Sequence, residues 1–264
     1  MKRLRLGIDA NEANVRTRVG TGQYAYQLLL HWSKVEGLDF HLYHRDPLQG
    51  DMPPESDHWH YHQVAPSRAW LRFGLPLYLA THPRNDVFWS PAHYAPLYSG
   101  AASVVTIHDL AYEYFPDLFL PSDLYKLKNW SRSAVKHSAK VIAVSQATRH
   151  DLVQLYDVPE DKITVVHNGY DSDIFNLSPK INPSLLVNWN LKIENYILFL
   201  GTIQPRKNAI KLVQAFHLLK LAGYTGKLVI AGGIGWLADD TLSVIKDSPE
   251  HQDIVLTGYV SDEA

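Results

Sequence analysis

Apolar runs only four or five residues long punctuate this chain, and the stretches between them carry apolar residues at helical spacing. Runs at 4–8, 39–43, 61–64, 86–89, 103–107, 140–144 and 162–166 read as strands. Segments 23–32, 70–80, 122–137 and 146–156 read as helices, the second interrupted at Pro76 and the last two opened by Ser122 and Ser145 as caps. Strands alternating with helices imply crossover connections, and crossovers give a parallel sheet covered on both faces. The alternation fades over 170–194, which carries Pro179 and Pro183. It then resumes with strands 196–200, 227–231 and 253–257 and helices 208–222 and 236–245. The chain therefore divides into a domain over 1–172, a linker over 173–194 and a second domain over 195–264. Three strands make a small, open-edged sheet for a doubly wound domain, so the second domain is expected to be incomplete and the chain a fragment.

Net charge excludes one class of partner. At −2, with no strongly basic block, the chain has no electrostatic footprint for a nucleic-acid backbone. It contains no cysteine, which excludes a disulfide scaffold and thiolate metal sites and fits a reducing cytosol. No apolar run approaches the ~18 residues of a membrane span. A cytoplasmic protein is expected, with peripheral attachment to the inner face of a membrane left open.

Ligands of open parallel sheets bind beyond the carboxyl ends of the strands, and three features fall there. Gly20-Thr21-Gly22 follows the first strand and opens a helix, where glycines let backbone N–H groups approach a phosphate; an ordinary flexible turn is the alternative. His108-Asp109 comes directly after the run at 103–107. The histidine could donate to a sugar hydroxyl or serve in acid–base work, or simply be a hydrogen-bonded loop residue, and Asp109 could hold a polar substrate or cap the next segment.

Arg206 and Lys207 stand side by side where the strand 196–200, read as buried on both faces, gives way to a helix with Asn208 as its cap. Cations oppose the macrodipole at a helix N-terminus, so an anionic ligand would relieve a local cost.

Two patterns compete with this reading. Gly233-Ile234-Gly235-Trp236-Leu237-Ala238 follows a strand and matches a dinucleotide fingerprint, but the expected acidic residue at the end of the next strand is missing, since Asp253 lies at its start. Gly233 and Gly235 read better as a turn near a nucleotide. His58, His60 and His62 alternate and would share one face of a strand, as zinc ligands do, yet no carboxylate or cysteine is evidently placed beside them. They read as surface residues, and no metal is assigned.

The segments GTIQPRKN at 201–208 with Ala215-Phe216, IHDL at 107–110, VIAVSQATRHDL at 141–152 and VVHNGYDSDIF at 165–175 together resemble the retaining glycosyltransferases of family 4. The matches run in the family's order over nearly the whole chain. The resemblance implies the α/β GT-B fold, with two Rossmann-like, doubly wound parallel-sheet domains facing each other across a cleft. It also implies a nucleotide-sugar donor, with GDP-mannose a candidate, held mostly by the second domain, and a saccharide or lipid-linked acceptor held mostly by the first.

By position, Lys207 resembles the lysine that contacts the donor diphosphate, Gly20-Thr21-Gly22 the glycine loop that closes over it, and His108 the histidine near the transferred sugar. Many members place an arginine directly after the glycine; here that residue is Thr202, and Arg206 is the candidate substitute. The family's paired glutamates, which hold the donor sugar and ribose, lie beyond Ala264. A retaining hexosyltransferase without a cofactor is the expectation. A non-catalytic nucleotide- or sugar-binding fragment and an NAD-dependent oxidoreductase are the alternatives.

Overall fold

A computed structural model of the chain describes residues 3–175, 189, 191 and 195–260. Most of the expected linker and the residues after Val260 lie outside this set. The chain separates into two compact units, one of Met1–Pro116 with Pro121–Gly169, the other of Asp117–Leu120 with Tyr170–Ala264.

The first unit is built on seven parallel strands: Leu4–Asp9 (β1), Leu38–His44 (β2), Trp59–Gln63 (β3), Val87–Ser90 (β4), Ala102–Ile107 (β5), Lys140–Ala143 (β6) and Ile163–Val165 (β7). They lie side by side in the order β3-β2-β1-β4-β5-β6-β7. Its helices are Thr21–Trp32 (α1), Leu75–Thr81 (α2), Ala111–Tyr114 (α3), Pro121–His137 (α4) and Gln146–Tyr156 (α5).

Alternation within the strands sorts side chains between two cores. Ile8, Phe40, Leu42, Trp59 and Trp89 point to one face and pack with Ala25 and Leu29 of α1. Tyr43 and Phe88 point to the other, where Leu75 and Leu79 of α2 meet them with Val64 and Trp70. Each large apolar side chain buried this way stabilises the fold by roughly 1.5–3 kcal/mol relative to leaving it exposed.

The second unit carries three parallel strands, Tyr196–Leu200 (β8), Lys227–Ala231 (β9) and Ile254–Gly258 (β10), in the order β10-β9-β8. Ala209–Leu221 (α6) and Asp239–Asp247 (α7) contribute Val213, Phe216 and Ile245 to a core with Leu228, Ile230 and Ile254. Trp236 belongs to this unit with Asp117–Leu120, its Nε1 donating to the Leu118 carbonyl at 2.9 Å.

Several local expectations are corrected. β3 starts at Trp59, two residues early, because Trp59 pairs opposite Phe40 and is wholly buried. The helix around Pro76 begins as a wide π-type turn over Trp70–Gly74, and Pro76 sits in the first turn of α2, where its missing N–H costs nothing. α4 starts at Pro121, so Ser122 lies inside its first turn instead of capping it. Ser145 does cap α5, its hydroxyl accepting from the Thr148 amide at 3.0 Å.

β8 is not buried on both faces. It is an edge strand with Ile197 and Phe199 packed inward and Leu198 and Leu200 exposed. The three alternating histidines also part company. His58 precedes β3 and faces the Ser33 carbonyl, whereas the carboxylate missing from the sequence reading stands beside His60: Asp39 Oδ1 is 3.1 Å from His60 Nε2.

Candidate functional site

The strand order reverses between β1 and β4, and in open parallel sheets that reversal opens a crevice at the carboxyl ends. Asp9 closes β1, Ser90 closes β4 with Pro91 directly after it, and His108 follows β5. Sequence position alone brings these residues to one rim of the sheet.

The two glycines of the first loop are needed for different reasons. Gly20 adopts φ 50°, ψ −111°, which side chains other than glycine's resist. At Gly22 a Cβ would stand 2.8 Å from the Glu12 carbonyl, so the preceding loop could not lie against the helix. Thr21 donates through its hydroxyl to Glu12 Oε2 at 3.3 Å. α1 has no side-chain cap and no acidic residue in its first turn. The Gly22 amide donates to the Val19 carbonyl at 3.1 Å, and the positive dipole end at Thr21 favours an anion where the Glu12 carboxylate already approaches.

His108 is held from several sides. Its Nε2 donates to the Pro91 carbonyl at 2.9 Å, Thr148 Oγ1 donates to its own carbonyl at 3.0 Å, and Tyr24 of α1 meets its ring edge-on at 4.9 Å between centroids. The Tyr24 contact ties the start of α1 to His108, so the glycine loop and the histidine share one neighbourhood. Burial holds the His108 imidazole below its ordinary pKa, only partly offset by the Pro91 carbonyl and Asp109. Asp109 turns to the backbone, its Oδ1 accepting from the Ala111 amide at 3.0 Å as α3 begins.

Two further residues of this rim escape the sequence reading. Asp9 is buried, and its Oδ1 accepts from the Asn11 amide at 3.1 Å and from Asn11 Nδ2 at 2.8 Å. Burial pushes its carboxyl up to about 7, with the Glu12 charge adding to the rise and Asn11 opposing it. The signal was available: an aspartate ends the first apolar run, at the carboxyl end of a strand. His93 lies 5.7 Å from His108 between ring centroids, and its Nδ1 is buried with no hydrogen-bond partner. Burial, reinforced by the neighbouring His108, brings His93 down to about 4. Perturbed titrating groups gathered at a strand rim mark a candidate site.

In the second unit, Arg206 and Lys207 occupy a short 3-10 turn, Pro205–Lys207, between β8 and α6. Asn208 stands at the cap position of α6, but its backbone is left-handed (φ 54°, ψ 37°) and its side chain makes no capping hydrogen bond, so it does not play the side-chain capping role expected for it. α6 likewise lacks an acidic residue in its first turn. The Lys207 stem passes Gly201, where a Cβ would contact Cε at 3.8 Å.

The glycines at 232–235 serve this turn. Ile203 and Ile234 form a parallel bridge, Ile203 N donating to the Gly233 carbonyl and Gly235 N to the Ile203 carbonyl, both at 2.9 Å. A Cβ on Gly235 would lie 2.7 Å from Thr202 Cγ2, and one on Gly232 would collide with the Gly201 backbone. Close packing accounts for Gly232 and Gly235, whereas a Cβ on Gly233 would meet open space, and α7 opens only at Asp239, well past the fingerprint-like segment.

Two parallel α/β units, each with polar residues at the carboxyl rim of its sheet, define a protein class built on Rossmann-like layers. The sequence profile of Glycosyltransferase Family 4 matches residues 19–174, and the chain belongs to that family. O-antigen chain mannosyltransferase B of Escherichia coli is 28% identical over 201 residues, covering 72% of this chain; the chain spans about half of that relative's length, 52%.

Among solved structures, WaaG, a glycosyltransferase involved in lipopolysaccharide biosynthesis, superposes with a TM-score of 0.69 at 14% identity over 98% of this chain and 71% of its own. Anabaena Alr3699/HepE in complex with UDP-glucose superposes with a TM-score of 0.67 at 14% identity over 99% of this chain and 70% of its own. The fold is of the GT-B class. No helix among the described residues is long and apolar enough to cross a membrane.

Proposed function

We propose that this chain carries much of a retaining hexosyltransferase that moves mannose from GDP-mannose to a saccharide or lipid-linked acceptor. One observation carries the reading: Arg206 and Lys207 are set on the tight turn directly before the uncapped start of α6, and that turn is braced by the glycine loop 232–235. A nucleoside diphosphate gains negative charge as its bond to the sugar breaks. Fixed cations and helix-end amides stabilise that developing charge without reorganising, which favours the transition state over the bound donor. Lys207 is the principal cation of the proposal and Arg206 its partner.

In the first unit the start of α1 at Gly20-Thr21-Gly22 contributes to phosphate binding through the helix dipole and the close backbone approach its glycines allow. His108 binds a hydroxyl of the transferred sugar. With Nε2 donating to Pro91, the neutral ring offers Nδ1 as acceptor. Asp109 steadies the loop through its bond to the Ala111 amide, and Gly233 and Gly235 lie near the nucleotide. Retention results from same-face attack, in which the leaving phosphate takes the acceptor's proton, so no carboxylate nucleophile is required. The name of the E. coli relative supports mannose as the sugar.

The experiment is a transfer assay on the protein at its natural length, offering radiolabelled GDP-mannose, UDP-glucose and other nucleotide sugars with lipid-linked saccharide acceptors. Labelled product with the α configuration of the donor, formed from GDP-mannose in preference to the others, supports the proposal. Nucleotide-sugar binding without turnover would replace it with the binding-module reading, and product of inverted configuration would remove the retaining mechanism.

A further inference from the structure

The amino ends of β1, β2 and β3 carry a second cluster, on the side of the sheet remote from the rim that holds His108. Register places Arg5 beside Asp39, His41 beside His60, and Tyr43 beside His62. Registered neighbours in a parallel sheet share a face, and residues two apart on a strand share it too. Asp39, His41, His60 and His62 therefore gather on one side. The Asp39 carboxylate reaches both imidazoles, Oδ2 at 3.1 Å from His41 Nε2 and Oδ1 at 3.1 Å from His60 Nε2. The two rings are stacked, 4.9 Å between centroids and 28° between planes, so both Nε2 atoms converge on the same carboxylate.

From this convergence the geometry points to a binding site for a divalent cation of the zinc class, held by Asp39, His41 Nε2 and His60 Nε2. Zinc bonds nitrogen at about 2.0–2.1 Å and carboxylate oxygen at about 2.0–2.2 Å, so neighbouring ligand atoms of a tetrahedral site stand roughly 3.3 Å apart. Each imidazole Nε2 stands 3.1 Å from one of the two Asp39 oxygens, and one ligand atom from each of the three residues falls within 4.8 Å of the others, close enough for a small adjustment to reach that spacing. Two imidazoles and one carboxylate favour zinc and its first-row neighbours over magnesium or calcium, which prefer oxygen alone.

The surroundings complete the site. His62 Nε2 lies 2.8 Å from His41 Nδ1, the position of the hydrogen-bonding partner that orients a metal-bound histidine. Arg5 also reaches His41 Nδ1, at 3.0 Å, as a donor, an arrangement that puts the ring proton on Nε2. Cation binding moves that proton to Nδ1, and the protons that His60 and His62 carry on Nε2 move to their own Nδ1 atoms, so that His60 Nε2 is free to ligate and His62 Nε2 accepts from His41 Nδ1 in place of Arg5; all three imidazoles stay neutral and no proton is created or lost. Arg5 Nε is buried without a hydrogen-bond partner, so this side chain is incompletely satisfied where it stands.

His60 and Asp39 line a cavity of about 530 Å³ together with Arg3, Arg5, Arg84, Asp57 and Asp86. The fourth ligand position opens into that cavity and takes water, since its three arginines are balanced by three aspartates. The ion would tie β2 to the edge strand β3 and stiffen this end of the sheet.

The test titrates the metal-stripped chain with Zn²⁺ in competition with a chromophoric chelator, with Mg²⁺ as a parallel arm. One zinc-selective site is expected, weakened at least about 10-fold in Asp39→Asn and in His60→Ala and unchanged in His58→Ala, which removes a nearby histidine outside the ligand set. Cobalt substitution in the unaltered chain gives an independent reading, since intense visible bands report four-coordinate nitrogen and oxygen ligation. The proposal is overturned if the chain binds no zinc at micromolar concentration, if the Asp39 and His60 variants bind like the parent, or if cobalt shows only the weak bands of an octahedral site. These readings are of metal alone and are independent of sugar transfer.

Discussion

The Nε2 of His108 faces the carbonyl oxygen of Pro91 at 2.9 Å, and since a carbonyl only accepts, the proton of the neutral ring resides on Nε2. The tautomer is therefore set by the end of β4, and Nδ1 is the acceptor. Glutamine places an amide N–H near the Nε2 position but has nothing equivalent at Nδ1. His108→Gln should unfold at the parent temperature within a few degrees while sugar transfer falls about 10²-fold, a loss in the range of a positioned polar group. Nucleotide affinity, read by calorimetry, should hardly change. A variant that transfers normally would remove His108 from the proposed site.

Asp9 predicts a pH dependence of stability. Its carboxyl is pushed by burial from an ordinary 3.8 up to about 7 in the folded chain. A raised carboxyl pKa means the folded state binds the proton more tightly, so this contribution is fully present below about pH 4 and disappears as pH climbs toward 7. Asp9→Asn keeps the Oδ1 acceptor for Asn11 and carries no charge. Urea denaturation at pH 5 and pH 8 should show the parent losing on the order of 2–4 kcal/mol relative to the variant between the two conditions. Parallel curves for the two proteins would contradict the assignment.

Lys207→Met retains an apolar stem over Gly201 and deletes the charge. In the protein at its natural length, turnover should drop about 10²–10³-fold with a weaker donor complex, as expected for a group that meets charge developing in the transition state. The melting temperature should stay near that of the parent, because the amine is not part of any core.

Gly232→Ala tests the bracing of that turn. The backbone at Gly232 has φ 144°, and the added methyl would collide with Gly201. Backbone strain and overpacking together should cost roughly 2–4 kcal/mol of stability in the second unit. Hydrogen exchange of the β9 and α6 amides under denaturant reads this directly, and donor affinity should fall with it.

The architecture was largely legible from period alone. Strand-sized apolar runs separated by helical stretches suffice for parallel layers, and the carboxyl-end rule then locates Gly20, His108 and Lys207. What escaped was decided by partners distant in sequence. Trp59 joins a strand because Phe40 lies opposite, although its own surroundings, rich in histidine and aspartate, look like loop. Leu198 and Leu200 look like core by composition, but β8 ends up at a sheet edge. Asp39 is 21 residues from His60, and only the pairing of β2 with β3 makes it a neighbour. His93 gained importance only once β4 and β5 were set side by side.

The bridge between Ile203 and Ile234 makes two segments some thirty residues apart a single mechanical part. The Thr202 methyl presses on the place a side chain at position 235 would need. Substitution in either segment is thus read by the other. A larger residue at 202 and a larger residue at 235 compete for the same volume, so the shape of this turn is set jointly by two loops and must be changed in pairs.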